Sequence, residues 1–200
     1  MAAITLRPFR DYDEKNVTNI STFSGTIPAE AGTLVKIVQG FVATEEPIEM
    51  LGSVGASYNN VQSQRYGAYS KVAACGAGET PIGMLLMGVR ETDENGEQLK
   101  FNPVKAAEMG VVISGQAVPY VSRGIFHYSG SILASQTPVA QTKLYAGASG
   151  QLTTGVTLGA LVGYVTASGQ AVSGVTSPVV ATCLGGKDDN NCVVIRLNIN

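Results

Sequence analysis

Tryptophan is missing from this chain, and histidine occurs once among its 200 residues. Sugar-binding platforms favour large aromatic faces, so the first absence weighs against a carbohydrate site, and a single imidazole makes a zinc site an unfavoured reading. Charge is scarce as well: 14% of residues are charged, against about 25% in an ordinary domain. The 13 basic and 15 acidic side chains leave a formal charge of −2. That is no footprint for a polyanion, and no nucleic-acid partner is expected. No apolar run reaches the roughly 18 residues of a membrane span, because Gly, Ser, Pro or a charge interrupts each candidate, Ile82 to Val89 and Val156 to Val165 included. We expect a soluble chain with no membrane partner. The start, MAAITLRPFRDYDEKN, has no apolar stretch after its first basic residue, so no export leader is expected.

Cysteine is sparse too. Cys75, Cys183 and Cys192 form an odd set without CxxC spacing, which suits reduced thiols in a protein assembled in the cytoplasm. Asn16-Val17-Thr18 and Asn19-Ile20-Ser21 match the glycosylation acceptor pattern, which carries no weight without a secretory leader.

What is present in excess is glycine, 24 residues, in a chain that is 44% apolar. Much glycine and little charge imply short strands, tight turns and a surface covered by other subunits. Residues 1–25 carry charges with sparse apolar side chains and read as an extended N-terminal arm. In it Leu6, Phe9 and Tyr12 recur every three residues, as an amphipathic turn laid on a neighbour would require, and a disordered tail is the alternative. Residues 26–200 read as the β-rich body. Pro28 to Gly32 forms a turn, Thr33 to Val38 a strand, and Phe41 to Thr44 its hairpin return.

Residues 50–80 read as a long loop or an added β-subdomain, where Tyr58, Tyr66 and Tyr69 supply contact area. Pro81 to Val89 reads as a strand buried on both faces. Asn95-Gly96 marks a hairpin with Gln98 to Phe101 returning. Asn102-Pro103 through Gly110 predicts one short helix. Val111 to Gly115, Ala117 to Val121 and Gly124 to Tyr128 predict three strands. Lys143 to Ala146, Leu152 to Thr154, Gly159 to Val165 and Cys192 to Ile199 complete the set, the last with Val193, Ile195, Leu197 and Ile199 on one face.

No reaction emerges from this pattern. His127 lies in a strand-like run with no G-x-S-x-G elbow to supply a nucleophile. Asp93 to Glu97 and Asp188 to Asn191 read as polar turns rather than calcium loops. The Gly52 to Gly55 and Gly76 to Gly78 runs lack the lysine and helix of a phosphate cradle. We expect no catalytic residue, no cofactor and no metal.

Ile27 to Val35, Val104 to Val118, and Thr142 to Ala146 followed by Leu161 to Val165 resemble structural head proteins of tailed bacteriophages, the last stretch being similar to small-barrel decoration proteins. The resemblance implies a mainly β fold, a β-barrel or β-tulip core, that cements the outer surface of a capsid. The implied partners are the major capsid protein and further copies of the chain, a homotrimer by preference. Assembly in the host cytoplasm and residence in the virion follow. Leu6, Arg7, Phe9, Tyr12, Tyr58, Tyr66 and Tyr69 are the expected contacts to shell or subunit. The chain is about twice the length of the smallest such proteins. Another virion component (tail, fibre or shell subunit) and a carbohydrate-binding β-domain are the alternatives.

Overall fold

The computed structural model describes residues 5–8, 16–40, 70–129, 136–155 and 178–199. It is mainly β, with one large sheet and one short α-helix. Its organising element is the strand β8, Ala117–Ser129, which runs for 13 residues. The sequence predicts a turn at Ser122-Arg123, between strands at 117–121 and 124–128. The backbone instead continues, with Gly124 at φ 149°, a conformation open to glycine, while still pairing with Leu197. Pro119 is accommodated in the same strand. Its carbonyl accepts the Leu86 amide at 3.0 Å, one residue past the short strand Gly83–Leu85, so the missing amide faces the edge where that strand has already ended. On the opposite edge the neighbouring strand bulges, setting Asn19 and Ile20 between the pairs Thr18↔Tyr120 and Ser21↔Val118.

Strands border both edges of β8. β1 (Thr5–Pro8) and β2 (Asn16–Phe23) lie antiparallel along one edge, β1 against Phe126 to Ser129 and β2 against Ala117 to Arg123. On the other edge, β5 (Gly83–Leu85) meets Tyr120 and Val121, and β12 (Val193–Asn198) meets Arg123 to Tyr128. The first half of β8 belongs to a cycle of pairings that runs through β2, β4 (Ser70–Ala74), β3 (Leu34–Gln39) and β5 and returns to β8. The second half continues through β12 to β11 (Ala181–Cys183), β9 (Lys143–Ala146) and β10 (Leu152–Thr153).

Two cores follow from period-2 geometry. Phe23, Val35, Val72, Leu85, Val118 and Tyr120, drawn from all five strands of the cycle, pack together with Ala29 and Val89. Their chain neighbours Leu34, Met84 and Val121 belong to the other core, with Phe126, Tyr128, Leu144, Ile195 and Leu197. Strands β3, β5 and β8 are thus a wall with a core on each side, which explains why the run around Ile82 to Val89 is apolar without alternation. Ser21 and Ser70, both buried, share a 2.6 Å hydrogen bond across the parallel pair β2 and β4, so neither hydroxyl is left without a partner inside the fold.

The other elements adjust the sequence reading. The buried run splits into β5 and β6 (Gly88–Arg90), and β6 pairs in parallel with β7 (Val111–Ile113) as a separate two-stranded sheet. The Asn95-Gly96 turn is present, with Gly96 at φ 86° and the Thr92 and Gln98 backbones bridged. Its expected return strand is instead a 3-10 turn, Leu99–Phe101, because Leu99 is pulled into the interior and Asn102 already caps the next helix. That helix, α1 (Pro103–Glu108), starts as predicted: the Asn102 side chain accepts from the Lys105 amide and Pro103 occupies the first turn.

The N-terminal segment expected as an arm supplies β1 and β2 to the large sheet, and Leu6 is a core residue rather than a contact to another subunit. Apolar spacing of three residues suggested a turn there; pairing along the open edge of β8 makes Thr5–Pro8 a strand. Within the 50–80 segment expected as a loop, β4 is a central strand flanked by β2 and β3. The expected strands at 41–44 and 159–165 lie outside the described residues.

Gly150 tests the packing between the two halves. Its amide donates to the Cys75 carbonyl at 2.7 Å, its φ is 73°, and a Cβ there would fall 2.5 Å from Thr33 Cγ2 and 2.7 Å from the Leu34 carbonyl oxygen. We expect Gly150→Ala to destabilise the protein by about 2–4 kcal/mol in chemical denaturation. Gly96→Ala, with φ 86° and no atom within 4 Å of its Cβ, should cost about 1 kcal/mol. Equal losses at both positions would show that the close approach at Gly150 is unimportant.

Candidate functional site

Where β8 passes under the turn that precedes β12, three side chains with lone-pair chemistry meet. Phe126 and Tyr128 are buried, so the alternation of the strand turns the intervening His127 to the other face, where it is part-exposed. The second contributor is the turn Asp188 to Cys192. Asp188 Oδ1 accepts the Asn190 and Cys192 amides at 2.9 and 2.8 Å, the Asp188 amide donates to the Cys192 carbonyl at 2.9 Å, and Asn191 takes φ 59°. This is an aspartate folding its own turn.

The pairing of Val193 with Tyr128 and of Val194 with His127 sets that turn beside the histidine. Asp188 Oδ2 lies 3.2 Å from His127 Nε2, and one ligand atom each from His127, Asp188 and Cys192 lie within 4.8 Å of one another. The Cys192 amide, then that of Asn190 and the His127 ring, hold the Asp188 carboxyl below its usual range, so it is a carboxylate at neutral pH.

Asp93 builds the same turn without such company. Its Oδ1 accepts the Asn95 and Glu97 amides, both at 2.8 Å, and the Glu97 amide is the main reason its carboxyl is also held low. Both acidic runs are therefore turn formers, as the sequence suggests. The sequence does not reveal that the second one is set over His127, because that depends on which strands pair.

Two further features are available for contact. A cleft of about 230 Å³ is bordered by Glu30, Gly88, Arg90, Glu94 and Met109. That is below the roughly 300–1,000 Å³ of ordinary small-molecule sites. Inside it, Arg90 donates to Glu30 at 2.8 Å, while its buried Nε has no partner among the described residues. The other feature is apolar. Val17 and Ile20 on β2 and Ile37 and Val38 on β3 are 46–50% exposed, on strands that flank β4 on either side.

Of the expected contact residues, Arg7 lies on β1 with its backbone opposite His127, and Leu6 is in the core. Phe9, Tyr12, Tyr58, Tyr66 and Tyr69 lie outside the described residues. No protein-family model, no curated protein and no solved structure matches this chain.

The cysteines differ in access. Cys75 and Cys183 are fully buried and Cys192 is part-exposed. Burial, then the Glu79 charge, pushes the Cys75 thiol up from 9.0 to about 11, and burial also raises Cys183. We expect an aromatic disulfide reagent to titrate one thiol in the native protein and three in denaturant. Cys192→Ser should abolish the native reaction; labelling of a second native thiol at the same rate would contradict this packing.

Alkaline pH offers a separate check. Burial pushes the Tyr128 phenol up from 10.0 to about 12, against a smaller opposing effect of the Leu152 amide. The folded state therefore holds the Cys75 and Tyr128 protons more tightly than the unfolded chain does. Stability contributed by these groups is complete below about pH 9 and falls as the pH rises towards 12. Denaturation midpoints measured from pH 8 upward should decline, and Phe in place of Tyr128 should make the decline shallower.

Proposed function

We propose that this chain is a virion structural protein, a decoration or cement subunit that binds the outer surface of a tailed-phage capsid and stabilises the shell. Its partners on this reading are the major capsid protein and further copies of itself, with a trimer preferred. The resemblance in sequence pattern, the scarcity of charge and the β-rich fold support it.

One observation carries most weight: four branched aliphatic side chains, Val17, Ile20, Ile37 and Val38, stay about half exposed on β2 and β3. Covering the exposed half of each contributes about 1 kcal/mol. A few such contacts per subunit are weak alone, yet a lattice of copies multiplies them. Low charge helps, since few ionised groups must then be stripped of water at the contact.

The test is to mix the purified protein with capsids that lack decoration and to image the particles by electron microscopy. Saturable occupancy at symmetry-related sites is expected. The double change Ile20→Asp, Ile37→Asp should weaken binding by about tenfold or more, while leaving the thermal midpoint of the free protein within a few degrees. Capsids that stay bare at saturating protein would refute the reading.

A further inference from the structure

We propose that His127, Asp188 and Cys192 form a binding site for a divalent transition metal of the zinc type. The donors are an imidazole nitrogen, a carboxylate oxygen and a thiol sulfur, which is the mixture that borderline-soft ions prefer and that calcium or magnesium do not.

Geometry supports the assignment. A tetrahedral zinc with ligand distances of about 2.0–2.3 Å holds its ligand atoms about 3.3–3.6 Å apart. The His127 Nε2 to Asp188 Oδ2 separation is already 3.2 Å, and the three ligand atoms lie within 4.8 Å of one another. The sulfur then has to approach by at most about 1 Å, giving up its 3.6 Å contact with the Asn190 carbonyl. An exposed His–Asp pair alone would be an ordinary surface contact worth little. The thiol at the third corner distinguishes this cluster, and among the described residues no other three His, Cys, Asp or Glu side chains converge in this way.

The arrangement also differs from a nucleophile, base and acid relay. A relay uses the two ring nitrogens of histidine on different partners. Here one ligand atom of each residue lies within 4.8 Å of the other two, so the three donors are close enough to share one ion.

The supporting shell is in place. Asp188 Oδ1 is tied by two amides, which fixes the carboxylate and leaves Oδ2 as the ligand. His127 is carried on a strand paired on both edges, to Arg7 and to Val194. On binding, the Cys192 thiol gives its proton to the buffer and its sulfur forms the metal bond. The proton on His127 Nε2 moves to Nδ1 through solvent, freeing the Nε2 lone pair. The His127 and Asp188 side chains are 36% and 41% exposed, so the ion has a path in and a fourth ligand position stays open to water.

The experiment is titration of the reduced, full-length protein with zinc by calorimetry and with cobalt by absorption. One equivalent should bind, with release of a proton that scales with the buffer ionisation heat and, for cobalt, a near-ultraviolet sulfur-to-metal band and visible bands of tetrahedral coordination. Cys192→Ser should remove the sulfur band, and His127→Ala should weaken zinc by about tenfold or more. Asp93→Asn, in the matching turn without the other donors, should leave binding unchanged, and circular dichroism checks that each variant is folded. Absence of saturable binding by the unaltered protein, or a sulfur band that survives Cys192→Ser, would overturn the proposal. Capsid binding by metal-free protein would leave the proposed function standing whichever way the titration falls.

Discussion

Everything described here is arranged around a strand that has no free edge over most of its length and an apolar layer on each side for part of it. Because β8 carries Val118 and Tyr120 into one core and Val121, Phe126 and Tyr128 into the other, neither core can be repacked without moving it. Close packing then makes the strand stiff, since a shift that relieves one side compresses the opposite one. The β2 bulge opposite Pro119 and the glycine at 124 are the two adjustments that let so long a strand follow both halves.

That stiffness is what gives the polar cluster its definition. Asp188 and Cys192 share one turn, but His127 is remote from both in the chain, and the pairing of β12 with β8 brings it to them. The turn holding Asp188 is rigid through its own hydrogen bonds, and the histidine is rigid through its strand, so the donors are positioned without help from a core around them. The half-exposed aliphatic side chains on β2 and β3 sit in the other half of the molecule. Shell contact and metal binding would thus draw on different halves.

Local signals in the sequence were readable wherever local chemistry decides the outcome. Asn102-Pro103 fixed the start of α1, Asn95-Gly96 its turn, and the alternation of Val193, Ile195 and Leu197 the buried face of β12. The failures lie where distant pairing decides. Leu6 looked like part of an arm because its neighbours are charged, yet the open edge of β8 makes that segment a strand. Ser122-Arg123 read as a turn between two strands, yet Asn16 and Asn198, both remote in sequence, pair with Arg123 and carry the strand through. Counting residue types likewise says nothing of which of them the sheet gathers, and the neighbourhood of His127, Asp188 and Cys192 is legible only from the pairing of β12 with β8.

The order in which β8 acquires its neighbours has a consequence for synthesis. β1, β2 and β5 precede it along the chain and can dock as soon as it emerges, but β12 follows only after β9, β10 and β11. Until then the Arg123 to Tyr128 stretch offers bare amides and carbonyls along one margin, beside Phe126 and Tyr128 that lack their later companions Ile195 and Leu197. Such a nascent chain is prone to pair with its neighbours on the same message. A shorter passage through this window, or a chaperone bound along that margin, would favour recovery of folded protein.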